Sequence, residues 1–179
     1  MADSIITKRA LASSLKELMN EKSFEKINVG DICEKCNMNR KSFYYHFKDK
    51  YDLVNWIFDT EFIGVAQTNN YEEVWELLIA MSNYFYDNRN FYRKALCIKG
   101  QNSFSDHFKK LILPIISDRI KSVSDEVVME FQVNFIADAV IIAIQRWLVE
   151  NKEILPEEFV RQIKLSIRYI VDRYGNVEI

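Results

Sequence analysis

Glycine and proline are scarce in this chain: 179 residues contain four Gly and two Pro. A β-sandwich or barrel turns about every 8–12 residues and spends both residues on its turns, so an all-β fold does not fit. Cysteine is scarce as well. Three Cys make no even disulfide framework and suit a reducing compartment. A long hydrophobic run is lacking too: the most apolar stretch, residues 135–149, is broken by Asp138, Gln145 and Arg146. That falls short of the ~20 apolar residues of a spanning helix. No cationic-then-apolar leader opens the chain, so a cytoplasmic protein without a membrane segment is expected. What is present, 49 % hydrophobic and 28 % charged residues, describes a globular and helical protein.

Net charge is −2, but it is unevenly spread. Residues 1–50 carry ten Lys/Arg against seven Asp/Glu, and the remainder fourteen against nineteen. Lys35, Arg40, Lys41, Lys48 and Lys50 crowd one short stretch, opposed only by Asp49. A basic patch on an acidic molecule is the footprint of local phosphate binding. A solvated helix face with surplus lysine gives the same charge pattern.

Apolar spacing predicts consecutive helices. Leu11, Leu15, Leu18 and Met19 share one face of a helix over 5–22, and Phe24 and Ile27 continue the apolar set. A short second helix begins at Asn28, with Asp31 placed for a capping box. Asn37 can take the left-handed turn conformation, and Asn39 can cap a third helix ending near Phe47. Asp49 and Asp52 start a longer helix, about 50–66, in which Leu53 pairs with Ile57 and Val54 with Phe58. After a polar stretch come helices at about 71–87, 89–98, 103–121, 125–151 and 156–174. Pro156 suits a first turn, Gly175 a C-terminal cap, and Pro114 should kink or split its helix. The expected architecture is all-α: a three-helix module at 1–50 and a larger helical domain at 51–179, joined by the helix at about 50–66.

Two short helices joined by a tight turn and braced by a third make a helix-turn-helix, whose second helix enters the DNA major groove. Cys33 and Cys36 are the small packing residues, Asn37 the turn, and Arg40, Lys41 and Ser42 the presented side chains. Tyr44, Tyr45, His46, Lys48 and Lys50 follow and can hydrogen-bond phosphates. Phe43 and Phe47, four apart, make the core pair, which leaves one of Tyr44 and Tyr45 partly buried and the other outward.

The run Asn28-Val29-Gly30-Asp31-Ile32-Cys33, then Cys36-Asn37-Met38-Asn39, Phe43-Tyr44-Tyr45-His46-Phe47, Lys50 and Leu53 resembles the DNA-binding module of TetR-type transcriptional regulators. The likeness covers about residues 5–60. Cys stands for the usual Ala at 33 and 36, and Asn for Gly at 37 and for Ser at 39. The stretch from Asp87 to Lys94 is similar to a subgroup that includes regulators of dihydroxyacetone-kinase operons. The resemblance implies that Arg40, Lys41 and Ser42 face base edges, that Tyr45 adds a base or backbone contact, and that Asn28, Tyr44, His46 and Lys50 hold phosphates. Asn39 and Lys48 complete that surface. It also implies a repressor whose operator affinity an effector changes. The competing expectation is a helical interaction protein, or an activator controlled by a partner protein without a small-molecule ligand.

Other chemistry finds little footing. Cys33-x-x-Cys36 has no second ligand pair for zinc, and small packing thiols explain it better. His46 has no nucleophile spaced to work with it. There is no Gly-rich phosphate loop and no His-Glu-x-x-His. Glu72-Glu73 and Glu157-Glu158 fall in first helical turns, where the macrodipole favours them. Neither an enzyme, a metal site nor a cofactor is expected.

The C-terminal helices suggest two further features. Between Val133 and Val149 apolar residues occupy nearly every face, so the last two helices are expected to pair with those of a second copy; a central core helix is the alternative. Aromatic residues concentrate after residue 50. Among them Trp75, Tyr84, Tyr92, Phe108, Phe131 and Phe135 are candidates to line an effector pocket, with Tyr hydroxyls and Trp N–H groups supplying polar contacts. A packed domain without ligand is the competing expectation.

Overall fold

The computed structural model describes residues 2–69, 71, 73–100, 102–119, 126–150 and 153–174, and every regular element among them is helical. In chain order these are α1 (Ala2–Glu21), a 3₁₀ turn (Phe24–Lys26), α2 (Val29–Lys35), α3 (Arg40–His46) and α4 (Lys50–Phe58). A π turn (Asp59–Ile63) and α5 (Gly64–Ala66) extend α4 without a break. Then come α6 (Val74–Asp87), α7 (Arg89–Ala95), α8 (Phe104–Arg119), α9 (Glu126–Glu150) and α10 (Pro156–Tyr174).

Local chemistry sets the first boundaries. Asn28 Oδ1 accepts the Asp31 amide at 3.1 Å while Asp31 Oδ2 accepts the Asn28 amide at 3.0 Å, a complete capping box. Asn39 Oδ1 caps α3 by accepting the Ser42 amide at 2.8 Å. Asp49 Oδ1 caps α4 through the amides of Tyr51 and Asp52, each at 2.8 Å. Pro156 opens α10 as expected. Gly175 lies outside the described residues.

Leu11, Leu15, Phe24, Ile27, Phe43 and Leu53 are buried in one contiguous cluster that runs on through Phe58, Phe85 and Phe108 to Trp147. Phe58 stands at its centre, with ring centroids 5.3 Å from Phe62, 5.6 Å from Phe85, 5.3 Å from Phe104 and 5.6 Å from Phe108. Aromatic pairs at such separations add about 0.5–1.5 kcal/mol each beyond their buried area. Helix α1 packs on α7, α4 on α8, α8 on α9, and α10 on α6. Trp147 stacks on Phe159 at 4.4 Å and donates Nε1–H to the Ile154 carbonyl at 2.9 Å, which fixes the entry into α10.

Two expectations need correction, and one alternative is set aside. Of the kink or split expected at Pro114, the split does not occur, since α8 runs unbroken from Phe104 to Arg119. Pro114 and Lys110 are both exposed, so the carbonyl that loses its partner four residues back can turn to water. The segment 129–150 does have the length and composition of a membrane span, despite Asp138 and Arg146. Here it packs against α8, and Lys109 pairs with Asp138 at 2.6 Å. The alternative of a central core helix for α9 is set aside, since α9 buries one side only. Val133, Ala137, Ile141 and Ile144 face inward, whereas Phe131, Phe135 and Ile142 lie 71 %, 65 % and 52 % exposed on its outer face.

Candidate nucleic-acid interface

Helix α3 is held from beneath and open above. Phe43 and Phe47 are buried, with rings 5.7 Å apart, and they anchor one face. Arg40, Lys41, Tyr44 and Tyr45 of α3, and Lys48 in the bend after it, are exposed. Tyr44 and Tyr45 are both outward, 58 % and 83 % exposed, so the expectation that one of them packs was wrong. Tyr44 rests edge-on against Phe43 at 5.5 Å, yet most of its ring stays exposed.

The turn before α3 is built as the sequence suggests. Asn37 has φ +54°, in the left-handed region, and the Met38 amide donates to the Cys33 carbonyl at 2.8 Å. Cys33 is buried against α1, and burial pushes its thiol above the ordinary range. The Cys36 thiol donates to the Ile32 carbonyl at 3.3 Å. Both cysteines are free and serve as packing residues.

Several expected contact residues already have work inside the module. The Asn28 side chain is committed to its capping box, and its Nδ2 donates to Asp31 Oδ1 at 3.0 Å. Asn39 Oδ1 also accepts the Ser42 hydroxyl at 3.2 Å. The ring of half-buried His46 sits edge-on to Tyr45 at 4.8 Å. Lys50 differs most from expectation. Its ammonium donates to the carbonyls of Phe24 and Ile27, each at 2.7 Å, and lies 4.3 Å from the centre of the Phe24 ring. It therefore closes the 3₁₀ turn rather than facing outward. Desolvation lowers its pKa, as burial of an ammonium should.

Charge is partitioned in the same way. Lys22 pairs with Asp31 at 2.7 Å, and Lys35 with Glu17 at 3.3 Å and Glu21 at 3.0 Å. Arg40, Lys41 and Lys48 have no carboxylate partner among the described residues. The Arg40 guanidinium lies across Gly30, where an added Cβ would meet Nη2 at 2.5 Å. Glycine at this position lets the arginine rest against the start of α2.

Behind the module, α6, α8, α9, α10 and the π turn enclose a cavity of about 240 Å³. Trp75 and Phe108 line it, as expected from the sequence. The other four candidates do not. Tyr92 is fully buried and Tyr84 partly so; Tyr84 donates its hydroxyl to Glu61 at 2.9 Å, and Tyr92 and Tyr84 share a bond of 2.8 Å. Burial pushes both hydroxyls up, so they stay protonated donors. Phe131 and Phe135 stack on each other at 6.2 Å on the outer face of α9, turned away from the cavity. The wall is mostly aliphatic instead: Leu78, Met81, Ile112, Ile136, Val140 and Ile163. A search weighted towards aromatic rings passes over these residues, and nothing but their helical spacing could have pointed to them.

The π turn joins cavity and module. Phe62 and Ile63 line the cavity, while Glu61 takes the Lys16 ammonium of α1 at 2.6 Å. Asp59 meets His107 Nε2 of α8 at 2.7 Å. Lys94 of α7 also donates to the carbonyl of Met19 near the end of α1. π turns recur where a helix has a functional offset.

A cationic and aromatic α3 face, a left-handed turn before it and an all-helical body behind it define a helix-turn-helix DNA-binding regulator. Residues 12–57 match the bacterial regulatory proteins of the tetR family, and residues 72–169 match a transcriptional regulator C-terminal region. The chain belongs to the TetR family of transcriptional regulators, a family of regulators and not of enzymes. It is similar to the HTH-type dhaKLM operon transcriptional activator DhaS of Lactococcus lactis subsp. lactis (strain IL1403). The two are 30 % identical over 124 residues, which make up 68 % of this chain and 66 % of that protein, just under two thirds of its length. Two solved structures share the fold. A dihydroxyacetone kinase operon activator DhaS superposes with a TM-score of 0.64 at 23 % identity, over 93 % of this chain and 97 % of that one. A TetR transcriptional regulator from Streptococcus agalactiae 2603V superposes with a TM-score of 0.72 at 18 % identity, over 93 % and 96 %.

Proposed function

We propose that this regulator works in the cytoplasm as a homodimer on a palindromic operator, and that occupancy of the cavity changes its operator affinity. The observation that carries the reading is the exposed surface of α3 and the turn after it, where Arg40, Lys41, Tyr44, Tyr45 and Lys48 stand without a carboxylate partner among the described residues. Arg40 and Lys41, at the start of the helix, read base edges; Tyr44, Tyr45 and Lys48 hold the backbone. Ser42 and His46 flank that face, and Asn28, Asn39 and Lys50 support it from within. Residues 1–50 read DNA, and residues 51–179 hold the effector and the second copy.

Members of this family typically act as dimers. The outer faces of the last two helices supply a surface for one: Phe131, Phe135, Ile142 and Val149 on α9, with Leu165 and Tyr169 on α10, are all exposed. The cavity favours a small-molecule effector over control by a protein partner alone. Two of the named relatives are operon activators, which favours activation over the repression expected from the sequence.

Selection of bound duplexes from a random DNA pool by the purified protein tests the reading. The expected result is an inverted repeat with half-site centres about 34–36 Å apart, or a multiple of that. Recovery of unenriched sequence, with binding insensitive to salt, would refute it.

A further inference from the structure

We propose that the cavity takes the hydrocarbon chain of an amphiphile whose polar head stays at the mouth beside Lys164. The inference rests on the effector reading above and narrows it to a chemical class.

The wall decides what can enter. Among the described residues every lining side chain is apolar, and the one N–H there belongs to Trp75. Of the polar groups on the flanking helices, the Tyr84 and Tyr92 hydroxyls are engaged with each other and with Glu61 and His107 with Asp59, and the buried Ser82 hydroxyl of α6 does not line the cavity. A hydroxyl or carbonyl carried inside would lose its water and find no partner, at a cost of a few kcal/mol by the usual ~1–3 measured in proteins. A sugar or polyol is thus rejected by the wall. A hydrocarbon is not, because it carries no hydrogen-bonding group that the wall would leave unpaired.

Shape and the mouth narrow the class. At about 240 Å³ the cavity falls below the ~300–1,000 Å³ of drug-sized sites, which favours a slender ligand over a bulky ring system. Ile167 lines it yet is 45 % exposed, so the opening lies along α10. Trp75 lines it too, and the Lys164 ammonium stands 4.9 Å from the centre of that indole ring. One ring therefore borders both the apolar interior and a surface cation, the arrangement that suits a chain with a polar or anionic end.

Calorimetric titration of the full-length protein with butanoate, hexanoate, octanoate and decanoate tests the proposal. Burial of each methylene is worth ~0.8 kcal/mol, so affinity should rise about fourfold per methylene until the cavity is full. Octanoate should perturb Trp75 fluorescence, and dihydroxyacetone should not bind. Val140→Phe and Leu78→Phe, which fill the cavity, should each weaken octanoate at least tenfold. Lys164→Gln should weaken octanoate more than octanol. A flat chain-length series in the unaltered protein overturns the proposal, as does dihydroxyacetone binding more tightly than octanoate; equal losses of octanoate and octanol in Lys164→Gln overturn the placement of the head. If octanoate binds but operator affinity stays unchanged, the effector reading fails and the ligand class stands. If a different, polar small molecule shifts operator affinity while the series stays flat, the class fails and the effector reading stands.

Discussion

The ammonium of Lys16 on α1 lies 2.6 Å from Glu61 Oε2 on the π turn, and the same carboxylate oxygen accepts the Tyr84 hydroxyl of α6. A single carboxylate thus touches the helix that braces the DNA-reading module and a helix that walls the cavity. Because the pair is partly solvated, Glu61→Gln should cost less than about 1 kcal/mol in urea unfolding. The difference in operator affinity between empty and ligand-filled protein should nevertheless shrink. An unchanged difference would show that the signal travels by another route.

Lys50 gives a separable prediction. Lys50→Met removes the donor that the Phe24 and Ile27 carbonyls share, and should destabilise the protein by about 1–3 kcal/mol. The dependence of DNA affinity on salt should stay as it was. Chemical unfolding and a salt titration, run on the same sample, check both halves.

Outward cations should behave in the opposite way. Lys48→Ala should weaken every duplex alike and reduce the salt slope by about 0.9 per subunit, the signature of one lost phosphate contact. Arg40→Ala should relax base preference with a smaller effect on random DNA. Competition binding at two salt concentrations separates the two variants.

Phe135→Asp places a charge in the outer stripe of α9 without touching the inner core, so helix content should not change. Light scattering should then report 21.3 kDa rather than about twice that mass. If Phe135→Asp remains dimeric, the interface lies elsewhere.

Asp31 sets an acid limb. Its carboxyl is held below the usual aspartate value, first by the hydrogen bond from Lys22 and then by the Asn28 amide. A depressed carboxylate pKa stabilises the fold fully above the unfolded-state value, and that contribution fades as pH falls through the folded-state value. Asp31→Asn should therefore melt earlier than the parent protein at neutral pH, and the two curves should converge as pH falls below the lowered folded-state value. Parallel curves across the whole range would remove Asp31 from the module's stability.

The features that were legible in the sequence are local ones. Asn28 with Asp31, Asn37 in its turn, Asn39 with Ser42, and the Phe43–Phe47 pair all depend on neighbours within a few residues, so spacing alone predicts them. Lys50 was misread because its acceptors lie 23 and 26 residues earlier, and its charge looks the same whether it faces a phosphate or a carbonyl. Phe131 and Phe135 were misplaced for a related reason: an apolar face signals burial but does not say by what. The π turn has no sequence signal, since nothing between Asp59 and Ile63 opposes an ordinary helix. It becomes visible only through Asp59 and Glu61, which its offset delivers to His107 and Lys16.

The cluster that runs from Leu11 through Phe58 to Trp147 has a bearing on how such regulators can be recombined. Leu53, Val54 and Ile57 of α4 are buried in the same cluster as Leu15 and Phe43. A cut at residue 50 would leave the reading head with half its floor missing. Grafting this head onto another body therefore requires α4 as part of the graft, and Lys16 brings a further demand for an acid at position 61. Swapping operator specificity by exchanging α3 alone respects those limits, since its outer residues can change while Phe43 and Phe47 stay in place. The head can be re-lettered far more easily than it can be transplanted.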